Sequence, residues 1–232
     1  MAVTTTTAQE VTDESVSEAI ERYLEAIFYI DAEGEMVRAS HLAEWLGVAQ
    51  PTAAGALQRM TKAGLIDTNA SKGILLTRRG RRLASEIVRR HRIAERWLVD
   101  VLDFDWLAAD LEASRLEHGM SSAVADRLYE LIGRPATCPH GNPIPGADVK
   151  RPPERALSSL APGDRAPLQR ISEVAEHDVP DLLRFLGNHG FSLGGDIELV
   201  ELSRGAGTVT VKVGGQLVAM SIDVAGKIWV TA

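Results

Sequence analysis

The 232-residue chain contains a single cysteine, Cys138. One thiol excludes an intrachain disulfide and a multi-cysteine zinc site within one chain, and it suits a reducing compartment. No run approaches the ~18 to 20 consecutive apolar residues a membrane span requires. The opening MAVTTTTAQEVTDESVSE has no basic n-region and no apolar h-region, so no secretory signal is expected and a cytoplasmic location is. No Gly-rich phosphate loop, nucleophile elbow or internal repeat occurs. Those absences argue against an enzyme and against a small-molecule substrate. What is present is an ordinary globular composition, 45% hydrophobic and 25% charged, long enough for two to three small domains.

The formal net charge of −7 argues, taken whole, against nucleic acid. Its distribution reverses that. Residues 36–96 hold twelve Lys/Arg against four Asp/Glu, a local +8 that leaves −15 for the rest. A basic block in an acidic chain is the footprint of a phosphate-contacting face.

Hydrophobic periodicity predicts helices over residues 18–31 (Ile20, Leu24, Ile27 and Phe28 on one stripe), 40–46 with Ser40 as N-cap, and 50–64 with Pro51 in the first turn. Gly47-Val48 is the turn between the last two. Two short extended runs then flank turn residues 69–73. Helix, turn, helix and hairpin is the winged helix-turn-helix plan, assigned to residues 1–80. A helical domain follows over 81–149, with helices to about residue 102, at 106–120 and at 122–132. Residues 150–165 read as a linker by their prolines. Over 166–232, one helix at 181–186 and Gly-punctuated alternating strands at 196–201, 208–213, 216–222 and 228–230 predict a small β-barrel-like domain. The fold class is α+β and multidomain.

In a helix-turn-helix the second helix enters the major groove with its N-terminal residues at the base edges. Gln50, Pro51, Thr52 and Ala53 form that end: Gln can read adenine, and Thr or Ala can meet a thymine methyl. Arg59, Lys62, Lys72, Arg78 and Arg79 are phosphate candidates. Mid-helix Gly55 weakens its helix by ~1 kcal/mol relative to Ala, which suggests close approach to DNA or to the 40–46 helix.

The chemistry lies further on. Asp110, Ser114, Glu117 and His118 fall at i, i+4, i+7 and i+8, one face of a helix. His91 and Glu95 form an i, i+4 pair on the preceding helix. Each group alone reads equally as a packed histidine beside a solvated carboxylate, and Ile87, Leu98 and Val101 flank His91. Together the six positions offer the imidazole and carboxylate donors that Mn(II), Fe(II), Co(II) and Zn(II) accept. Cys138 and His140, at i, i+2 in the proline-rich loop CPHGNPIPG, could ligate a metal, but such a loop is structural by default. Metal donors coupled to a DNA reader suggest a metal-sensing transcription factor.

The segments HRIAERWLVD (91–100), LEHGMS (116–121) and HGNPIPG (140–146), in this order, resemble the diphtheria toxin repressor family, which includes iron- and manganese-dependent regulators of Gram-positive bacteria. The resemblance runs from about residue 17 to 232. It implies a winged helix, a helical dimerisation domain and a C-terminal SH3-like (FeoA-like) domain. It further implies a cytoplasmic homodimer that binds palindromic double-stranded DNA operators when Mn(II) or Fe(II) is loaded, with Co(II), Zn(II) or Ni(II) as substitutes in vitro, and that represses metal-homeostasis genes.

Carried over by position, the family's ancillary metal site falls on His91, Glu95 and Asp110, where relatives usually have His at the last. Two further ligands from the third domain fall among Glu173, Glu176 and His177. The primary site retains Glu117 and His118. Ser114 stands where relatives have Cys or an acidic residue, and Arg22 where the first helix offers Met or Asp. A guanidinium has no lone pair to donate. Beside Glu117 it would form a charge-assisted pair and stand in for the cation. Alternatively Arg22 swings outward and a displaced site forms with Glu18, Glu21 or Glu25. The reading helix matches relatives at Pro51 and Thr52 and departs at Ala49 and Gly55. Loss of both soft ligands tilts the metal toward Mn(II). Two other readings remain open on the sequence: a DNA-binding regulator made metal-independent by Arg22, and a metal-binding or interaction protein without DNA binding.

Overall fold

The structure, a computed structural model, describes residues 16–69, 71–150, 152–179 and 181–232. Helix α1 (Glu18–Ala32) buries Tyr23, Leu24, Ala26, Ile27, Tyr29 and Ile30. Helix α2 (Ala39–Trp45) starts a residue before the expected cap: Arg38 is the N-cap, with no side-chain cap bond, and Ser40 lies inside the helix. Helix α3 (Gln50–Lys62) carries Pro51 in its first turn, where the missing N–H costs nothing. Strands β1 (Ile66–Asn69) and β2 (Gly73–Leu76) pair as an antiparallel wing. Gly73 has φ +77°, and a Cβ there would sit 2.4 Å from the Val37 carbonyl oxygen, so only glycine lets the wing close on the α1–α2 connection. At Gly55 an added Cβ meets nothing within 4 Å, which removes tight packing on α2 as its reason.

Helix α4 (Arg78–Leu102) begins where Thr77 accepts a hydrogen bond from the Gly80 N–H at 3.1 Å. Helix α5 (Trp106–Leu116) is capped by Asp105, which accepts from the Ala108 N–H at 2.9 Å. It stops earlier than the periodicity implies: Glu117 is its C-cap, and His118 lies in the turn beyond. Helix α6 (Ser122–Leu131) completes the helical region.

The C-terminal region holds strand β3 (Glu154–Ala156), a 3-10 turn (Leu157–Ser159), β4 (Arg165–Ile171), α7 (Glu173–Asp178), α8 (Leu182–Asn188), β5 (Asp196–Ser203), β6 (Thr208–Val213), β7 (Gln216–Ser221), α9 (Ile222–Gly226) and β8 (Ile228–Thr231). The strand order is β3-β8-β4-β5-β6-β7, with every pairing antiparallel. β4 pairs with β5 through its first half and with β8 through its second, so it turns the corner of the curved SH3-like sheet. The expected linker, 150–165, is therefore folded into this domain from residue 154 onward. β3 pairs with β8, and Leu157 and Leu160 are buried in the core of this domain. Of the prolines that suggested a linker, Pro152 and Pro153 only precede an edge strand, where a missing N–H is tolerated, and Pro162 sits in the turn before β4.

The three regions interlock. Val174 of α7 is buried in the core of the winged helix, and Trp106 and Leu107 of α5 pack on the core of the C-terminal domain. Arg170 of β4 reaches Glu33 at 2.6 Å and Glu154 at 2.9 Å, and its guanidinium lies over the Trp229 ring. Buried charge of this kind is tolerated only when fully paired. The 133–146 loop is stapled to β4: the Ile171 N–H donates to the His140 carbonyl, and the Asn142 amide donates to the Ile171 carbonyl, both at 2.9 Å. Gly141, at φ +88°, permits this approach, since a Cβ would lie 2.0 Å from the Gln169 carbonyl oxygen.

Candidate metal centre

Four helices, the turn after α5 and the 133–146 loop bring their donors together. The i, i+4 spacing on α4 points His91 and Glu95 to one side, where α5 and α1 cross it. The His91 Nε2 is 3.5 Å from Glu95 Oε1 and 3.5 Å from Asp110 Oδ1. Its Nδ1 is 2.7 Å from Glu117 Oε2. Glu25 of α1 completes a group with His91 and Glu117 whose donor atoms all lie within 4.8 Å of one another. His118 continues the array, with Nε2 at 3.1 Å from Glu117 Oε1 and Nδ1 at 2.6 Å from Glu21 Oε2. Arg90 supports it from behind by donating to the Glu117 carbonyl at 2.7 Å.

A second group adjoins the first through Glu95. Its Oε1 is 3.1 Å from His140 Nδ1, and Glu95, Cys138 and His140 again offer donors within 4.8 Å of one another. Glu176 of α7 is 3.5 Å from the same His140 nitrogen. Cys138 and His140 thus lie beside Glu95. They are buried, and the stapled loop aims them at Glu95.

The electrostatics is that of donors held together by protons. Burial pushes the Glu25 carboxyl up, and neighbouring Glu117 adds to this, to about 8. Burial works against a charged His91, but Glu95, Asp110 and Glu117 outweigh it and raise its pKa well above the usual imidazole range. His140 is raised likewise, burial being outweighed by Glu176 and Glu95. Burial lifts the Glu176 carboxyl well above its ordinary value. Glu95 goes the other way: the two imidazoles overcome its burial and hold it ionised. Among the described residues, Glu176 Oε1 and His140 Nε2 are buried without a hydrogen-bond partner, while Glu95 Oε1 has only the His140 and His91 imidazoles for company. An unpartnered buried carboxylate oxygen and an imidazole nitrogen fit a divalent cation, which would supply the missing partner and compensate the charge.

The expected residues divide as follows. His91, Glu95, Asp110, Glu117 and His118 converge, and Ser114 lines the adjoining cavities at their exposed side. Of the third-domain trio only Glu176 joins. Glu173 is engaged bidentately by Arg92 at 2.9 and 2.7 Å. His177 faces Trp45 instead, its ring stacked on the indole. Arg22 does not stand in for a cation beside Glu117. Its guanidinium meets Glu18 at 2.8 Å, and both side chains are 58% exposed. Arg22 thus points outward, with Glu21 and Glu25 turned toward His118, His91 and Glu117. Glu18, offered with them, pairs with Arg22. Sequence reasoning raised Cys138 and His140 as possible ligands but set them aside as structural, and Glu25 entered only as an alternative. Cys-Pro-His just before a glycine held at positive φ was the available signal.

On the expected reading face, Gln50, Pro51 and Thr52 are exposed, as are Arg59, Lys62, Lys72 and Arg78. Ala53 is fully buried in the winged-helix core and cannot meet a thymine methyl. Arg79 donates to the Ala63 carbonyl at 2.9 Å, at the end of α3.

Residues 15–74 match the N-terminal DNA binding domain of iron dependent repressors, residues 77–146 their metal binding and dimerisation domain, and residues 155–232 the FeoA domain. The chain is 37% identical over 190 residues to the iron-dependent repressor IdeR of Mycobacterium tuberculosis, covering 82% of this chain and 79% of that protein. It is 30% identical over 214 residues to the diphtheria toxin repressor of Corynebacterium efficiens, covering 88% and 91%. It superposes on a manganese-dependent transcriptional repressor solved with manganese at a TM-score of 0.80, with 33% identity over 92% of this chain and 99% of that one. The chain belongs to the iron-dependent, diphtheria toxin repressor family of metal-dependent, DNA-binding transcriptional repressors.

Proposed function

We propose that the protein is a cytoplasmic, homodimeric repressor whose binding to a palindromic operator depends on Mn(II) or Fe(II), held by Glu25, His91, Glu117 and His118 and by Glu95, Cys138, His140 and Glu176. One observation carries this reading. Helix α1 packs within the DNA-reading module, yet it places Glu21 and Glu25 beside donors on α4 and on the turn after α5. A cation there would tie the reading head to the helical body. Oxygen and imidazole donors in the first group favour Mn(II) or Fe(II), and the single thiol of Cys138 adds one softer donor to the second. The cation supplies positive charge among carboxylates that otherwise repel. It acts by binding the docked arrangement more tightly than the undocked one.

The helical region supplies the dimer face. Leu111, Leu116, Val124 and Leu131 on α5 and α6, with Val101 and Leu102 at the end of α4, are large apolar side chains left exposed. A second copy covering them removes that surface from water. Gln50 and Thr52 at the start of α3 read base edges, and Arg59, Lys62, Lys72 and Arg78 hold phosphates.

The test is DNA binding by chelator-stripped protein to its own upstream region, with Mn(II) and Fe(II) titrated anaerobically. Tight binding only with metal is expected. Equal binding with and without metal would overturn the proposal, as would metal-dependent binding that survives replacement of Glu25 and His91 together.

A further inference from the structure

The third domain touches the reading head at a point that the metal chemistry does not require. Helix α7 is short, and its residues face different neighbours. Glu173 holds Arg92, Val174 enters the winged-helix core, Glu176 faces His140, and His177 reaches the helix-turn-helix itself. The His177 ring lies on the Trp45 indole with centroids 3.8 Å apart and planes within 6° of parallel. Its Nε2 is 2.9 Å from the Trp45 carbonyl oxygen. That carbonyl belongs to the last turn of α2, where no following N–H completes the helix ladder. Two residues later Gly47, at φ +61°, turns the chain toward α3. His41 meets the same indole edge-on, with centroids 5.9 Å apart. A second grip holds the α1–α2 connection: Arg170 pairs with Glu33, and Lys227 with Glu35.

We propose that His177 is a positioning residue for DNA reading. By stacking on Trp45 it fixes the α2–α3 turn and so the angle at which α3 is presented, the hydrogen bond to the Trp45 carbonyl being secondary to the stack. Glu176, its neighbour on α7, ties the same helix to the second donor group. The third domain thus sets the reading helix and the metal centre through one element. This rests on the reading of α3 as the DNA-contacting helix and adds to it a residue that touches neither DNA nor metal.

The experiment uses the full-length protein with Mn(II) and two variants, His177→Ala and His177→Phe. Backbone amide exchange is followed over residues 46–53, operator affinity by anisotropy, and metal stoichiometry by titration. For His177→Ala, exchange rises in 46–53 and not across the molecule, operator affinity falls roughly fivefold, and stoichiometry is unchanged. His177→Phe keeps the stack and restores both readouts to within about twofold. Wild-type exchange and affinity in His177→Ala would overturn the proposal. So would failure of His177→Phe to rescue, since the ring would then not be the positioning element. If wild-type protein binds no DNA in any metal state, the functional reading fails, while the exchange arm still decides whether His177 fixes the turn.

Discussion

Loading a cation must displace protons, and the number follows from the site. Metal donors bind deprotonated. Burial and the neighbouring Glu117 push Glu25 up to about 8, so at pH 7 most of it carries a proton. His91 is raised well above its ordinary value and is protonated there too. Filling the group formed by Glu25, His91 and Glu117 therefore releases on the order of one to two protons per ion. Each proton makes the apparent affinity rise about tenfold per pH unit. The sign is fixed: both folded-state values are raised, so affinity climbs from pH 6 toward 8 and its slope eases as Glu25 ionises. Isothermal titration of chelator-stripped protein with Mn(II), in two buffers of different ionisation enthalpy, counts the protons directly. Glu25→Gln removes one of them. It also flattens the pH dependence of the metal-free fold, because Glu25 favours folding below its ordinary 4.5 and loses that contribution as pH rises through about 8. A proton count near zero in wild type would refute the assignment, for the ion would then bind where no imidazole or carboxyl proton stands in its way.

Three further outcomes rest on particular residues. Gly141→Ala forces a Cβ to 2.0 Å from the Gln169 carbonyl at a backbone angle that disfavours it, and should cost on the order of 2 to 4 kcal/mol, read as a lowered denaturation midpoint. Arg22→Ala removes only an exposed pair with Glu18, so metal stoichiometry should stay the same and stability should change by less than about 0.5 kcal/mol. Replacing Arg59 and Lys62 by Ala should lower the slope of log affinity against log salt by roughly 0.9 for each phosphate they neutralise, measured by anisotropy on operator DNA.

The helices and the wing were legible because their signals are local. Apolar stripes recur at helical spacing, Pro51 opens α3, Thr77 caps α4, and the hairpin is punctuated by turn residues. The third domain was legible only where strands alternate cleanly. β4 escaped because its burial comes from two partners at once and its Arg165 and Arg170 interrupt the pattern. Helix α7, of six residues, has too little periodicity of its own and is held by what it touches. The site divides the same way. Spacing reveals donors that share a helix face, so His91 with Glu95 and Asp110 with Glu117 could be found, and His118 follows Glu117 in the turn. It also contains the fate of Arg22: at i+4 from Glu18 it shares that residue's face, while Glu21 and Glu25 share another. His140 and Cys138 join by a loop that folds back onto α4, and no sequence interval encodes that approach.

Val174 gives the domain borders a different meaning. It belongs by sequence to the third module, yet it is 1% exposed because it completes the core of the first. A truncation that ends after the helical region would therefore leave an apolar hole in the winged helix rather than a finished surface. The three modules are units of ancestry more than of folding. The part that reads DNA is finished only when the last third of the polypeptide has been synthesised.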